Sequence, residues 1–256
     1  MARVLAVVNQ KGGVGKTTTS VNLAAALAQA ERRVMLVDLD PQGNATMGSG
    51  VDKRNLVRTV YHLLVGLADL QSVRARPERA GFDLLPANRE LAGAEIELVG
   101  LDARETRLRD ALARVDAEYD FVLIDCPPSL SLLTVNGLTA AQRVLIPMQC
   151  EYYALEGLSD LVSTIKRVRA NLNPQLEIAG LLRTMYDPRN TLSQHVSQQL
   201  EQHFGDKVYR TLVPRNVRLA EAPSYGVPAV LWDAASKGAQ AYLALAAEIL
   251  AQGQAA

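Results

Sequence analysis

Near the start of the chain stands a glycine-rich stretch of eight residues, Lys11-Gly12-Gly13-Val14-Gly15-Lys16-Thr17-Thr18. A short apolar run from Arg3 to Val8 precedes it, and an Ala- and Leu-rich segment with helical spacing follows it. A strand, a glycine-rich turn and a helix in this order are typical of a phosphate-binding loop. Glycines let backbone N–H groups turn toward phosphate oxygens, and the helix N-terminus adds the positive end of its dipole.

Short apolar runs alternate with longer helical patterns along the rest of the chain. The predicted strands are Arg3 to Val8, Arg33 to Asp38, Phe82 to Pro86, Phe121 to Asp125, Arg143 to Met148 and Glu177 to Thr184. The clearest predicted helices are Lys16 to Ala30, Ala154 to Asn171, Asn190 to Phe204 and Ala235 to Ala251. Most strands are apolar on both faces, as a parallel sheet covered by helices on both sides requires.

We therefore predict an α/β fold, a mostly parallel, doubly wound sheet flanked by helices. The absence of a low-complexity linker favours a single domain over residues 1–252, with 253–256 as a frayed tail. Two cysteines without metal or redox spacing, and no apolar run long enough to cross a bilayer, predict a cytoplasmic protein without a membrane partner.

The charge is balanced overall and unbalanced locally. The 256 residues hold 27 basic and 27 acidic side chains, which argues against a protein coated in positive potential. Between Ser163 and Arg218, however, nine basic residues face four acidic ones, a net charge of +5. This stretch is the candidate surface for a polyanion.

The residue types in the phosphate loop and at two strand ends indicate which side chains would bind phosphate and metal. Lys16 is expected to hold the β- and γ-phosphates, and the Thr17 hydroxyl to bind Mg²⁺. Asp38 and Asp125 each end a predicted apolar strand, where a nucleotide site needs carboxylates. Asp125 follows four apolar residues, the Walker B layout, and is expected near Mg²⁺ directly or through water.

The loop departs from the strict phosphate-loop pattern, because Gln10 stands where the first glycine is expected and Lys11 follows it. This form resembles the deviant Walker A loop shared by ParA/Soj partitioning ATPases, the cell-division ATPase MinD and the nitrogenase iron protein. In those families the extra lysine reaches the partner's phosphates in a nucleotide-sandwich dimer. The resemblance implies that Lys11 acts in trans; a solvated lysine beside the loop is the alternative.

The resemblance to ParA/Soj covers essentially the whole chain. The segment from Asp38 to Asn44 resembles the switch I of that family, which implies that Asp40 orients the attacking water and that Asp38 helps to hold the hydrated metal. The segments Pro147 to Gly157 and Pro214 to Gly226 resemble two further family signatures. The second signature implies an adenine pocket lined by Pro214 and Asn216, with Thr184 as another candidate.

The same resemblance implies a function. It predicts an ATPase switch with ATP and Mg²⁺ as cofactors, an ATP-bound homodimer and weak intrinsic turnover that a ParB/Spo0J-like partner stimulates. The dimer would bind double-stranded DNA on the nucleoid without sequence preference, during chromosome or plasmid segregation. Arg189 and Arg218 fall where Soj-type proteins carry DNA-binding arginines; alternatively, Arg218 is a surface arginine paired with Glu221.

Three alternative functions, from other classes of protein, remain open. A MinD-like ATPase would end in an amphipathic helix with basic residues on its polar face, whereas here the last predicted helix has only Lys237 close by. An iron–sulfur protein would use Cys126 and Cys150 across a dimer. A pure binding module would bind nucleotide without turnover, which requires that Asp40 does not orient water.

Overall fold

Seven strands form one parallel sheet in the computed structural model, which describes residues 2–252. The strands are β1 (Arg3–Val7), β2 (Val34–Asp38), β3 (Asp83–Leu85), β4 (Phe121–Asp125), β5 (Arg143–Gln149), β6 (Glu177–Tyr186) and β7 (Val208–Pro214). Their order is β3-β2-β4-β1-β5-β6-β7, and every neighbouring pair is parallel. The doubly wound α/β prediction is confirmed; the predicted frayed tail, 253–256, lies outside the described residues.

Helices cover both faces of this sheet. They are α1 (Lys16–Gln29), α2 (Asn44–Gly48), α3 (Val60–Val65), α4 (Leu70–Val73), α5 (Leu91–Glu97), α6 (Arg107–Leu112), α7 (Leu132–Ala140), α8 (Ala154–Asn171), α9 (Thr191–Phe204), α10 (Val217–Glu221), α11 (Ala229–Trp232) and α12 (Lys237–Gln252). Across residues 2–252, no helix is long and apolar enough to cross a membrane.

The core lies in two layers, because side chains of a strand alternate between the two faces of a sheet. In β1, Val4 and Ala6 pack under the layer of α3 to α9, while Leu5 and Val7 pack under α1, α2 and α10 to α12. All four side chains are buried. Both faces of the sheet are thus covered by packed helices. A ligand site is therefore expected in the loops at the carboxyl edge of the strands.

The six predicted strands are present with ends shifted by a few residues, whereas β7 was not predicted. This strand lies at the edge of the sheet, with Arg210 exposed and Thr211 and Leu212 only half-buried. It therefore lacks the continuous apolar run that marked the central strands. The short helices α2 and α10 follow the ends of β2 and β7 closely, and neither was predicted.

Candidate nucleotide site

The predicted phosphate loop connects β1 to α1 directly, and two of its glycines adopt left-handed backbone angles. Gly13 has φ +74° and Gly15 has φ +87°, a region that side chains other than glycine rarely enter. A Cβ placed on Gly12 or Gly13 would meet nothing within 4 Å. Gly12 and Gly13 thus leave open space over the N-terminus of α1, where a phosphate group can approach the backbone N–H groups.

Two side chains from neighbouring strands hold this loop in place. Gln149, the last residue of β5, donates from Nε2 to the Gly13 carbonyl at 3.0 Å. Thr184, near the end of β6, donates its hydroxyl to the Val14 carbonyl at 2.8 Å. Thr184 is buried against the loop and positions the loop backbone; its contact with adenine stays a prediction.

Lys16 folds back across the loop. Its Nζ donates to the Lys11 carbonyl at 2.9 Å, and only 8% of the residue is exposed. Burial lowers the pKa of Lys16, and the carboxylates of Asp125 and Asp40 partly offset that effect. The ammonium group therefore lies beside both acids, as a lysine that holds phosphate oxygens next to a metal site requires.

Asp125 ends β4 and lies under the start of α1. One oxygen, Oδ2, accepts the Thr17 hydroxyl at 2.8 Å, and the other accepts the Ser20 hydroxyl at 2.9 Å. Thr17 and Ser20 are one helical turn apart, so they face the same strand end. Ser20 was not predicted; a serine three residues after the loop threonine in an Ala-rich helix was the available signal.

Asp38 ends β2 and is the register partner of Asp125. Its Oδ2 accepts the Thr46 backbone N–H at 2.8 Å and the Thr46 hydroxyl at 2.7 Å, and its Oδ1 accepts the Asp40 N–H at 3.2 Å. The same Thr46 hydroxyl accepts a hydrogen bond from the Ala87 backbone N–H at 2.9 Å. Thr46 therefore orients the carboxylate, another role that the sequence did not reveal.

The donor set fits a magnesium ion. Burial raises the pKa of both Asp38 and Asp125, and their mutual proximity raises that of Asp125 further. Two adjacent buried carboxylates repel each other when ionised, and a divalent cation relieves this cost. Within residues 2–252, no group of three or more His, Cys, Asp or Glu side chains could hold a metal. Mg²⁺ ordinarily keeps several water and phosphate ligands, so one or two carboxylates and the Thr17 hydroxyl suffice.

Asp40 lies at the start of a tight turn that follows β2. Its Oδ1 accepts the Gln42 N–H at 2.9 Å, and its carbonyl accepts the Gly43 N–H at 2.8 Å. Gly43 has φ +60°, and a Cβ there would come within 2.6 Å of the Ala87 carbonyl oxygen. The turn therefore requires glycine, and it leaves the Asp40 carboxylate half-buried beside Lys16.

Lys11 points away from its own phosphate loop. Its Nζ forms an ion pair with Glu151, which follows β5, and the two side chains are 51% and 46% exposed. The Lys11 backbone N–H donates to Asn9 Oδ1 at 2.9 Å, which fixes the backbone there. Tyr152 and Tyr153, next to Glu151, are 75% and 70% exposed. The lysine lies on an open surface, where its side chain is free to exchange partners.

A cavity of about 270 Å³ opens beside Thr17 and Thr18, between α1, α2 and the segment after α10. Its remaining lining residues are largely apolar: Val21, Asn22, Asn44, Met47, Gly48, Ala222, Pro223, Val227, Pro228 and Ala229. Neither Pro214 nor Asn216 lines this cavity. Pro214 ends β7, and the Asn216 side chain caps α10 by accepting the Leu219 N–H at 3.3 Å. Their role at the adenine stays a prediction.

The two predicted DNA-binding arginines are each paired with carboxylates. Arg218 contacts Glu221 at 3.0 Å, the pairing foreseen as the alternative, and also Asp233 at 3.2 Å. Arg189 makes two hydrogen bonds of 3.0 Å to Asp187 and is 88% exposed. Both arginines remain accessible, but neither offers an uncompensated positive charge.

The two cysteines are buried and unbonded. Cys126 is 1% exposed and Cys150 is 5% exposed. Burial raises the pKa of both thiols, which opposes the thiolate form that a metal cluster needs. The geometry gives no support to an iron–sulfur site shared between two protomers.

Comparisons with known proteins agree with this geometry. A family model described as an AAA domain matches residues 2–178. The sporulation initiation inhibitor protein Soj of Bacillus subtilis is 53% identical over 253 residues, covering 99% of this chain and 100% of that protein. The chain belongs to the ParA/Soj family of partitioning ATPases.

Other members and neighbours match over similar lengths. The chromosome partitioning protein ParA of Caulobacter vibrioides is 52% identical, and the match covers 98% of this chain and 94% of that protein. A crystal structure of cobyrinic acid a,c-diamide synthase from Mycobacterium smegmatis, with bound ADP and magnesium, has a TM-score of 0.87 at 42% identity. That match covers 99% of this chain and 96% of the other, so the two chains share one fold over nearly their whole length.

Proposed function

We propose that this chain is a Mg-ATP-dependent dimerising ATPase switch. In its ATP-bound dimer it binds DNA without sequence preference, on the nucleoid, and it acts with a ParB/Spo0J-like partner in segregating a chromosome or plasmid. The observation that carries the proposal is the convergence of Lys16, Thr17, Asp38 and Asp125 under one glycine loop, in a chain similar to Soj along its whole length.

Nucleotide binding is the first step of this proposal. The backbone of residues 12–18 would surround the phosphates, and Lys16 would exchange its bond to the Lys11 carbonyl for phosphate oxygens. Thr17, Asp38 and Asp125 would hold the hydrated Mg²⁺, which neutralises charge on the phosphate oxygens when bound. Ser20 and Thr46 keep the two carboxylates oriented by donating their hydroxyls.

Hydrolysis is assigned to Asp40. The tight turn after β2 holds its carboxylate beside Lys16, on the side of the loop where the terminal phosphate would lie. A carboxylate at this position can accept a hydrogen bond from a water and orient that water for attack. Slow intrinsic turnover suits a switch, because the lifetime of the ATP state is then set by the partner.

Dimerisation is supported by the composition of the carboxyl edge. Several large apolar side chains in the loops that follow β4, β5 and β7 are exposed: Leu130, Tyr152, Tyr153 and Val217. Exposed apolar residues grouped on the surface that surrounds a ligand site are typical of a protein interface. A second protomer seated on this edge would bring its Lys11 to the phosphates of the first.

DNA binding rests on the basic excess between Ser163 and Arg218. Non-specific affinity grows with the number of phosphates that the protein neutralises. A dimer presents two copies of this stretch, so it would bind DNA more tightly than a monomer does.

The experiment that tests the proposal is co-sedimentation with double-stranded DNA in the presence of ATP, ADP or no nucleotide. We expect DNA-bound protein with ATP only, irrespective of DNA sequence, and a steeper salt dependence than that of any residual monomer binding. Equal binding in the ATP and ADP states would contradict a nucleotide-controlled switch.

The MinD-like alternative places the same switch on a membrane. In this chain the apolar face of α12 packs against α1 and β7, and Tyr242, Leu245 and Ile249 are buried there. A helix whose apolar face is occupied by the core is not available to enter a lipid surface. Flotation with anionic vesicles and ATP distinguishes the two functions; recovery of the protein with the vesicles would favour the membrane.

A further inference from the structure

A second concave site lies at the amino-terminal edge of the sheet, opposite the phosphate loop. This cavity has a volume of about 650 Å³. Its walls come from the starts of β5, β6 and β7, the ends of α9 and α12, and the 3-10 turn Gly205–Lys207. Because strands of this length rise about 3.3 Å per residue, roughly 15 to 20 Å separates the two edges. The cavity is therefore distinct from the nucleotide site.

Two of the three carboxylates in the cavity wall are already engaged. Glu201 forms an ion pair with Arg183. Glu248 accepts the backbone N–H groups of Arg210 and Thr211, at 2.8 and 3.1 Å, and the Thr211 hydroxyl at 2.8 Å. Glu248 thus satisfies the open backbone of the edge strand β7, and no cationic side chain within residues 2–252 forms an ion pair with it.

The cations of the wall are less committed. Three exposed basic side chains, Arg143, Lys207 and Arg210, form no ion pair with any residue in the described range 2–252. Asp206 and the still negative Glu248 lie in the same wall, and Glu177 is the register partner of Arg143. Elsewhere in the basic stretch, Arg189 and Arg218 are both paired with carboxylates. Three accessible cations that are not committed to a carboxylate therefore lie together in one concave site.

A fourth cation, Arg183, is built into the wall. Its side chain is only 5% exposed. It donates to the Ser197 hydroxyl and to the Tyr209 carbonyl, both at 2.7 Å, while its Nε is buried without a hydrogen-bond partner. A buried guanidinium is costly unless it is paired and fully hydrogen-bonded. Glu201 compensates the charge of Arg183, so this arginine fixes the wall rather than adding net charge; with four cations and three carboxylates, the wall as a whole carries a net charge of +1.

We propose that this cavity is a binding site for a small phosphate-bearing anion. Arginine and lysine side chains match phosphate oxygens in charge and in hydrogen-bond geometry. The volume lies in the range of small-molecule sites. The site faces away from the carboxyl edge, so it stays accessible when two protomers join through the phosphate loops. Its occupancy is accordingly independent of the proposed dimerisation.

The test uses inorganic pyrophosphate, titrated into the ¹⁵N-labelled full chain without Mg²⁺ and followed by backbone amide shifts. We expect saturable shifts in residues 205–211, and sodium chloride of equal ionic strength should not reproduce them. Amides of residues 12–18 report the phosphate loop separately. If only the loop amides respond, this inference is wrong and the nucleotide site stands; if only 205–211 respond, the reverse holds.

Variants assign the response to the cavity. Lys207→Gln and Arg210→Gln should each weaken the pyrophosphate response at 205–211 by about 1.5- to 5-fold, the range expected for an exposed charge contact. The matched control is Arg79→Gln, an exposed arginine beyond the opposite end of the sheet, and it should leave the affinity unchanged. An unchanged response in both cavity variants would overturn the site.

A purely structural role for these cations predicts a different result. Basic residues near the C-terminal ends of helices stabilise the negative end of the helix dipole, and α9 ends beside this cavity. In that case pyrophosphate would cause no saturable shift, and Lys207→Gln would only lower the melting temperature. This outcome would also overturn the proposal.

Discussion

Lys11 and Glu151 form an ion pair within one protomer, although 140 residues separate them in the chain. The pair holds the lysine of the phosphate loop on the β5 side, so it would compete with any contact that Lys11 makes to the phosphates of a partner. Both side chains are about half exposed, so water competes with this contact and its net strength is small. Little free energy is therefore needed to release Lys11 from Glu151.

Release of Lys11 is the first prediction. Glu151→Gln removes the intramolecular partner, and we expect ATP-dependent dimerisation to become about 1.5- to 5-fold more favourable, because an exposed ion pair contributes about 0.2 to 1 kcal/mol. Sedimentation equilibrium with ATP measures this change. Glu156→Gln, an exposed glutamate one turn into α8, is the control and should behave as the parent chain does. A weaker dimer in Glu151→Gln would instead give Glu151 a direct role in the interface.

Thr17 and Ser20 provide a matched pair for the metal site, because both donate a hydroxyl to Asp125. Thr17→Ala should remove the Mg²⁺ dependence of nucleotide binding, since that hydroxyl is expected to bind the metal. Ser20→Ala should keep the dependence and shift only the Mg²⁺ concentration that is needed. Calorimetric titration of ADP over a series of Mg²⁺ concentrations tests both variants.

Lys16→Ala gives the reference for that experiment. Loss of the buried ammonium group should reduce nucleotide affinity on the order of 100-fold, because a hydrogen bond to a charged group contributes about 1.5 to 3 kcal/mol. If Lys16→Ala bound Mg-ATP as tightly as the parent chain, the phosphate-loop assignment would fail. If Thr17→Ala and Ser20→Ala behaved alike, both hydroxyls would only support the Asp125 carboxylate.

The sequence predicted the central part of this site because its signals are local. Asp38 and Asp125 each follow a short apolar run, and parallel strands bring such ends together at one edge. The phosphate loop was equally visible, since its glycines, lysine and threonine are contiguous. For these residues a strand–turn–helix pattern is sufficient, and the structure adds only distances.

The remaining features depend on contacts between distant segments. Glu151 lies within the segment Pro147 to Gly157, which resembles a family signature, but nothing in the local pattern indicates its ion pair with Lys11. Asp233 was not foreseen as a partner of Arg218, whereas Glu221, three residues away on the same helix, was. The edge strand β7 was missed because the exposed Arg210 and the half-buried Thr211 interrupt its apolar run. Tertiary packing decides such features, and local sequence periodicity does not reveal them.

Separation of dimerisation from hydrolysis is the third prediction, and it concerns Asp40 and Lys11. Asp40→Ala should bind ATP and accumulate a long-lived dimer, because the carboxylate that would orient water is lost. Lys11→Ala should bind ATP as a monomer, because its own phosphate loop retains Lys16. Size-exclusion chromatography with ATP distinguishes them. A monomeric Asp40→Ala beside a dimeric Lys11→Ala would contradict both roles.

The last prediction concerns the arginines expected to hold DNA. Arg218 is compensated by Glu221 and Asp233, and Arg189 by Asp187, so each must exchange a carboxylate for a phosphate before it adds to affinity. Arg218→Glu or Arg189→Glu should weaken DNA binding strongly and leave ATP-driven dimerisation intact. The double variant Glu221→Gln/Asp233→Asn frees Arg218 and should strengthen binding at the same salt concentration.

Salt dependence makes this prediction quantitative. Each phosphate contact contributes a slope of about −0.9 in log affinity against log salt concentration, so loss of Arg218 from both protomers should reduce the slope by about 1.8. Filter binding of a duplex with ATP, between low and moderate salt, measures that slope, and Arg79→Glu is the control for a change in net charge alone. If Arg218→Glu bound DNA with the slope of the parent chain, the arginine would serve only its two carboxylates. The DNA surface would then have to lie among the unpaired cations of the same stretch.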